Sequence, residues 1–162
     1  DHTDTDVFLL LDTAQDVAMG LSEVGTALAF KAITSGRSTG FPTDMAFTGA
    51  SLKPYAPCQL EAVLSSGDWV IEWVRRTRIG GAWTSGTSIP LSEDSEEYEV
   101  EILNGGGTVL HTYTGLSSPT VTYSAADQTT YAGGAVTAGN LHYKVYQISA
   151  QVDRGFAASA DA

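Results

Sequence analysis

The clearest alternation of apolar and polar positions runs from Trp69 to Val74. Trp69, Ile71 and Trp73 alternate with Val70, Glu72 and Val74, which sends the three bulkiest groups to one face of a strand. A face that large needs a partner layer to bury it. A second strict alternation, Tyr98-Glu99-Val100-Glu101-Ile102, reads apolar inward and acid outward. Further strands are predicted over Leu60–Leu64, Thr108–Tyr113, Thr120–Tyr123, Leu141–Ser149 and Phe156–Ser159, with Tyr143 and Val145 sharing a face. Turn signals separate them: Ser65-Ser66-Gly67-Asp68, the hairpin run Asn104-Gly105-Gly106-Gly107, and Arg154-Gly155. Seven short strands in about a hundred residues is the spacing of an immunoglobulin-like sandwich.

Upstream the pattern is less regular. Val7–Leu11 reads as a buried strand closed by Asp12, and Ala14–Leu21 as either a helical turn or a hairpin return. Thr26–Thr34 and Asp44–Thr48 read as strands around a Gly/Ser/Pro-rich loop at 35–42. So few strands do not close a sheet layer alone. Residues 1–53 are therefore expected to complete an upstream domain. The two prolines of Lys53-Pro54-Tyr55-Ala56-Pro57 stiffen the connection to a second domain over 54–162.

Composition supports an all-β chain, with 17 Gly and frequent Ser and Thr. A net charge of −11 sets a repulsive field against phosphate backbones and argues against nucleic acid as a partner. No apolar run approaches a membrane span. Cys58 is the only cysteine, which excludes an internal disulfide and leaves it as a small buried apolar residue. The chain opens on Asp1 without a signal-like segment, as a processed product or the end of a longer protein.

No nucleophile, zinc or phosphate-loop motif is present, so no cofactor or metal is expected and an enzyme is not. His2, Asp4 and Asp6 alternate at the terminus but lack the glycine and closing glutamate of a calcium loop. Glu97, Glu99 and Glu101 share one strand face at about 7 Å spacing, within reach of paired glycosidase carboxylates. They lack the apolar pocket that would raise one pKa and read as a solvated face that blunts edge pairing.

The cationic run after the Trp strand is the better candidate. Arg75, Arg76 and Arg78 precede Ile79-Gly80-Gly81 and Trp83, on a loop long for a sandwich connection. It reads either as a bent connection whose arginines pair with nearby glutamates or as a contact surface. Strand period places Arg75 on the Trp face, where burial requires a carboxylate, the nearest in sequence being Glu93–Glu97. Arg75 is thus expected to hold the loop, with Trp69, Ile71, Trp73, Tyr98 and Tyr143 as the structural set. Arg76, Arg78, Trp83 and, from the adjacent turn, Arg154 are expected to face a partner.

Residues 54–160 resemble a fibronectin type III domain on Pro57 and Leu60, Ile71 and Trp73, Tyr98 and Val100, then Leu141, Tyr143 and Val145, with Gly155 in the closing turn. The resemblance implies a tyrosine-corner bond from the Tyr143 hydroxyl. Gln147 departs from the pattern, and a bulge bringing Ile148 inward would repair it. The fold expectation is therefore all-β: a partial small β-domain followed by a fibronectin type III-like β-sandwich.

A resemblance covering nearly the whole chain rests on Phe8-Leu9-Leu10-Leu11-Asp12, Leu52-Lys53-Pro54-Tyr55-Ala56-Pro57, Trp73 through Gly81, Pro90-Leu91 with Glu93, Tyr98 through Ile102, and Tyr146-Gln147-Ile148-Ser149. The chain looks like the C-terminal end of the large tail-hub protein of alphaproteobacterial gene transfer agents and related long-tailed phages. The Arg75-Arg76-Thr77-Arg78-Ile79-Gly80-Gly81 run carries it most specifically. The resemblance implies a structural virion protein at the distal tail tip, a trimeric hub, and contacts with other tail-tip proteins and a host surface glycan or envelope protein. It transfers no hydrolase activity to these residues. The alternative is a carbohydrate-binding β-sandwich module of a secreted enzyme.

Overall fold

A computed structural model describes residues 20–30, 43–81 and 89–162. The expectations for Val7–Leu11, for His2, Asp4 and Asp6, for the 35–42 loop and for Trp83 lie outside those residues. The chain forms two compact units, Asp1–Thr48 and Gly49–Ala162. In the first, β1 (Ala27–Phe30) pairs antiparallel with β2 (Thr43–Ala46), and Phe30 meets Phe47 edge-on at 5.8 Å.

The second unit is an all-β sandwich. Its strands are β3 (Cys58–Ser65), β4 (Asp68–Val74), β5 (Tyr98–Leu103), β6 (Val109–Leu116), β7 (Thr120–Tyr123), β8 (His142–Ser149), the two-residue β9 (Asp153–Arg154) and β10 (Ala158–Asp161). One sheet has the order β3-β4-β7; the other runs β10-β8-β5-β6, with β9 also paired to β8. All pairings are antiparallel. Apart from β9, the strands lettered in chain order as A, B, C, C′, E, F and G divide into A-B-E and C′-C-F-G, the two-sheet Greek key of such sandwiches.

The alternation along β4 closes the structure. Trp69, Ile71 and Trp73 are buried, and they join Tyr98, Val100, Ile102, Val121, Tyr123, Leu141, Tyr143 and Val145 in one core drawn from both sheets. Trp73 and Tyr98 meet edge-on across the two layers at 5.2 Å, a favoured geometry for opposed ring quadrupoles. Cys58, on β3, is only half-buried. Gly155 seals the entry of the chain: a Cβ there would stand 2.7 Å from the Pro54 carbonyl oxygen and 2.9 Å from that of Gln147. The amide of Phe156 donates to Pro54 at 3.0 Å, so the first proline of the connection is clamped against the last strands.

Several expectations need correction. β8 runs without a bulge: Tyr143, Val145, Gln147 and Ser149 are all buried, and Gln147 pairs with Tyr98. Gln147 therefore faces inward, with its Oε1 unpartnered, and Ile148 stays half-buried on the other face. The Tyr143 ring is buried, but the hydrogen bonds of the described residues include none from its hydroxyl. Arg154 is in a strand, not a turn; the chain reverses at 150–152 and enters β9 through Asp153 at φ +56°. The last strand starts two residues later than expected. Between β7 and β8 lies a helical stretch that alternation did not announce: α-helical over Ala125–Asp127 and π-helical over Gln128–Ala132.

Trp73→Ala is expected to lower unfolding free energy by about 3–5 kcal/mol, read from urea denaturation. A loss below about 1 kcal/mol would refute the packing described.

Burial pushes the hydroxyls of Tyr98, Tyr113, Tyr123, Tyr143 and Tyr146 above the ordinary tyrosine range. A raised pKa favours the folded state fully below the unfolded value of about 10 and loses that contribution as pH rises beyond it. Tyrosinate absorbance should therefore appear together with the loss of β-sheet circular dichroism above that pH. Full tyrosine titration with the sheet signal intact would contradict it.

Candidate contact loop and the opposite end

The Arg loop leaves β4 at Arg75 and returns to β5 through Ile89–Glu97. It meets the β8–β9 turn at its own end of the sandwich: the Ile148 amide donates to Glu97 O at 2.8 Å. Gln151 Nε2 lies 3.5 Å from Asp94 Oδ2.

The two limbs are pinned by a small polar network. Ser92 Oγ accepts from the amides of Arg78 at 3.1 Å and Ile79 at 3.0 Å. It also bonds the Thr77 hydroxyl, which donates to Ile79 O at 2.7 Å. Each hydroxyl carries one proton, so Thr77 giving its own to Ile79 leaves Ser92 as donor to Thr77. Gly80 allows the tight fold, at φ +70° with its Cβ position 2.9 Å from Pro90 Cγ.

The arginines divide in a different way from the expectation. Arg75 does hold the loop, but through carbonyls: its guanidinium donates to Pro90 O at 3.0 Å and Ile89 O at 2.5 Å. Five fixed N–H donors suit that fork-like capture of consecutive carbonyls. Arg78, expected to face outward, is turned in. Its Nε donates to Glu93 Oε1 at 2.9 Å, with the side chains only 14% and 3% exposed. The carboxylate of the loop's returning limb thus takes Arg78, because the turn at Thr77–Gly81 swings Arg78 back over Ser92 and Glu93. Arg76 is exposed and lies over the Tyr55 ring at 5.2 Å.

Arg154 is also engaged inside the chain. It bridges Glu99 at 2.5 Å and Glu101 at 2.6 Å, and lies 4.6 Å over the Tyr146 ring, whose hydroxyl donates to Glu101 at 2.9 Å. Burial pulls its pKa down, and the bonds to Glu101 and Glu99 outweigh this and raise it, so the charge is held. Glu101 is consequently buried and ion-paired rather than part of a solvated acidic face. Glu99 and Glu101 flank a guanidinium, not a substrate cleft.

What remains exposed on the pinned loop is apolar: Ile79 is 64% and Ile89 54% exposed. Sequence reasoning missed both, and missed Ser92, whose role depends on a contact across the loop. At the other end of the sandwich, the helical stretch packs its ring edges on β6. Tyr131 stacks on His111 at 3.9 Å, and Tyr113 donates to Asp127 at 2.9 Å. That bond and the Ser124 hydroxyl hold the Asp127 carboxyl below its ordinary range. Gln128 is the buried tie at this end. Its Nε2 donates to Gly67 O and Tyr123 O, and its Oε1 accepts from the Val136 amide. Among the described residues no group of three or more His, Cys, Asp or Glu is placed to hold a metal ion, and no helix is long and apolar enough to cross a membrane.

The Arg78–Glu93 pair generates a direct test. Arg78→Ala strands an almost fully buried carboxylate and is expected to destabilise the unit by about 3 kcal/mol. Adding Glu93→Gln should recover most of that loss in a double-mutant cycle. An additive pair of effects would contradict the ion pair.

No family model matches the chain, and no curated protein matches it. Among solved structures, it is similar to the spore cortex lytic enzyme SleM of Clostridium perfringens, at 12% identity and a TM-score of 0.39. That match covers 82% of this chain and 36% of SleM, so the chain spans about a third of that protein.

Proposed function

We propose that this chain is a structural interaction module without catalytic activity. In this reading it is the C-terminal β-region of a tail hub of a gene transfer agent or long-tailed phage. It sits in the virion at the distal tail tip and docks other tail-tip proteins through the Arg loop. The hub is a homotrimer, and the module contributes to attachment to the host envelope.

The observation that carries the reading is the construction of the loop. Arg75, Arg78, Thr77, Ser92 and Glu93 are engaged with one another and with backbone, beneath two exposed isoleucines. A loop braced that way loses little conformational entropy on docking, and its apolar tip gains from desolvation. Arg76 over Tyr55 extends the same surface with a cation and a ring, residue types that anchor interfaces. The paired carboxylates that could serve hydrolysis are occupied by Arg154.

Ile79→Asp with Ile89→Asp should leave the melting temperature of the chain nearly unchanged and reduce its incorporation into particles, or host adsorption by the particles, by about tenfold or more. Normal incorporation and adsorption in the double variant would overturn the docking reading. Binding of polysaccharide by the isolated chain, lost in the same variant, would favour a carbohydrate-binding module instead.

A further inference from the structure

The end of the sandwich opposite the Arg loop carries a cleft of about 400 Å³. Its floor is aliphatic, from Leu103, Leu110 and Val136, and its rim carries Asn104, Asn140 and His142. No Asp, Glu, Lys or Arg lines it, in a protein with 19 acidic and 8 basic residues. The volume falls within the range of small-ligand sites, about 300–1,000 Å³, and an apolar floor with a few polar groups is their usual lining.

The wall is held in place. The Val136 carbonyl accepts from Trp69 Nε1 at 2.9 Å, and its amide donates to the buried Gln128 at 2.9 Å. The rim groups are oriented and partly free. Asn104 Oδ1 is taken by the amides of Gly106 and Thr108, which aims its amide nitrogen away from the turn as a donor. Asn140 Nδ2 donates to Thr137, leaving its Oδ1 as an acceptor. His142 Nδ1 faces Asp161 Oδ1 at 2.6 Å, which places the proton on Nδ1 and leaves Nε2 an acceptor in the neutral ring. That Nε2 lies 3.6 Å from the Cβ position of Gly105, on the cleft wall. His142 also borders a neighbouring cleft of about 210 Å³, so the two open side by side around its ring.

We infer that this end of the sandwich binds one residue of a neutral sugar carrying an N-acetyl group. A neutral lining in an acidic protein excludes an anion through the overall field and offers no carboxylate to a cation. The free donor and the two free acceptors match an amide and ring hydroxyls, and the aliphatic floor matches an acetyl methyl. The site is independent of the docking loop: no residue is shared, and each can fail without the other.

The test uses the full chain, followed by two-dimensional amide NMR and titrated with the methyl glycoside of N-acetylglucosamine, with methyl glucoside as the comparison. The expected result is saturable shifts at Gly105, Gly133, Gly134 and the Asn104 and Asn140 side-chain amides, selective for the acetylated probe. Gly134→Leu places a side chain where no heavy atom lies within 4 Å of the Cβ position, so it obstructs the cleft without strain. It should abolish the shifts with an unchanged melting temperature. His142→Ala should weaken binding about tenfold, the cost of one acceptor. Absence of saturable shifts, equal response to methyl glucoside, or binding that survives Gly134→Leu would each overturn the assignment.

Discussion

Two sheets of three and five strands have to close over a core that is unusually aromatic, and every ring that enters it carries a polar tip. That constraint sets the rest of the structure. A buried indole or phenol without a partner costs about 1–3 kcal/mol, so each tip recruits a connection. Trp69 takes the Val136 carbonyl, Tyr98 takes Glu96 at 2.7 Å, Tyr113 takes Asp127 and Tyr146 takes Glu101. These bonds fasten loops at both ends of the sandwich to strands that would form on alternation alone. Trp73 Nε1 and Tyr123 OH are left without partners, and the volume of their rings in the core offsets that loss.

The Arg loop follows the same logic with charges. A cationic run in an acidic chain has abundant carboxylates to choose from, and chain geometry decides which it reaches. Arg75 leaves β4 beside the returning limb, where two successive carbonyls are closer than any carboxylate. Arg78 lies after the turn that Thr77 and Ser92 fix, and so meets Glu93. Arg154 arrives from more than fifty residues away to neutralise the two glutamates on the outer face of β5. Three of the basic residues at this end are therefore fasteners, and the surface they leave is apolar.

Alternation made the strands legible. Trp69-Ile71-Trp73 and Tyr98-Val100-Ile102 each specify one buried face with no competing register, since a slip of one residue would put three bulky groups in water. Gln147 was misplaced because an inward amide contradicts the pattern; its position is forced by the continuous ladder that pairs Tyr98 through Leu103 with His142 through Gln147. The helical stretch was missed because eight residues of Ala, Thr, Gln and Tyr carry no apolar period. Its one signal was Ser124 three before Asp127, an N-cap spacing, and the Ser124 hydroxyl does accept the Asp127 amide. The pairings of Arg78 with Glu93 and Arg154 with Glu101 had no signal in spacing. They depend on where a loop folds back and on which face of a neighbouring strand a turn delivers its side chain.

The two ends of the sandwich end up chemically distinct for a structural reason. Strand β5 spans six residues, about 20 Å at strand rise, and it separates the Arg loop from the Asn104 turn. Over that length through packed rings, perturbations at one end reach the other only by shifting the core, and sites so far apart behave additively. The charged end carries the ion pairs and the apolar loop tip. The other carries backbone-rich walls, from Gly105 and Gly133-Gly134, around a lining without formal charge. A single core thus supports two surfaces with separate selection pressures, one suited to holding a protein partner and one to admitting a small neutral group.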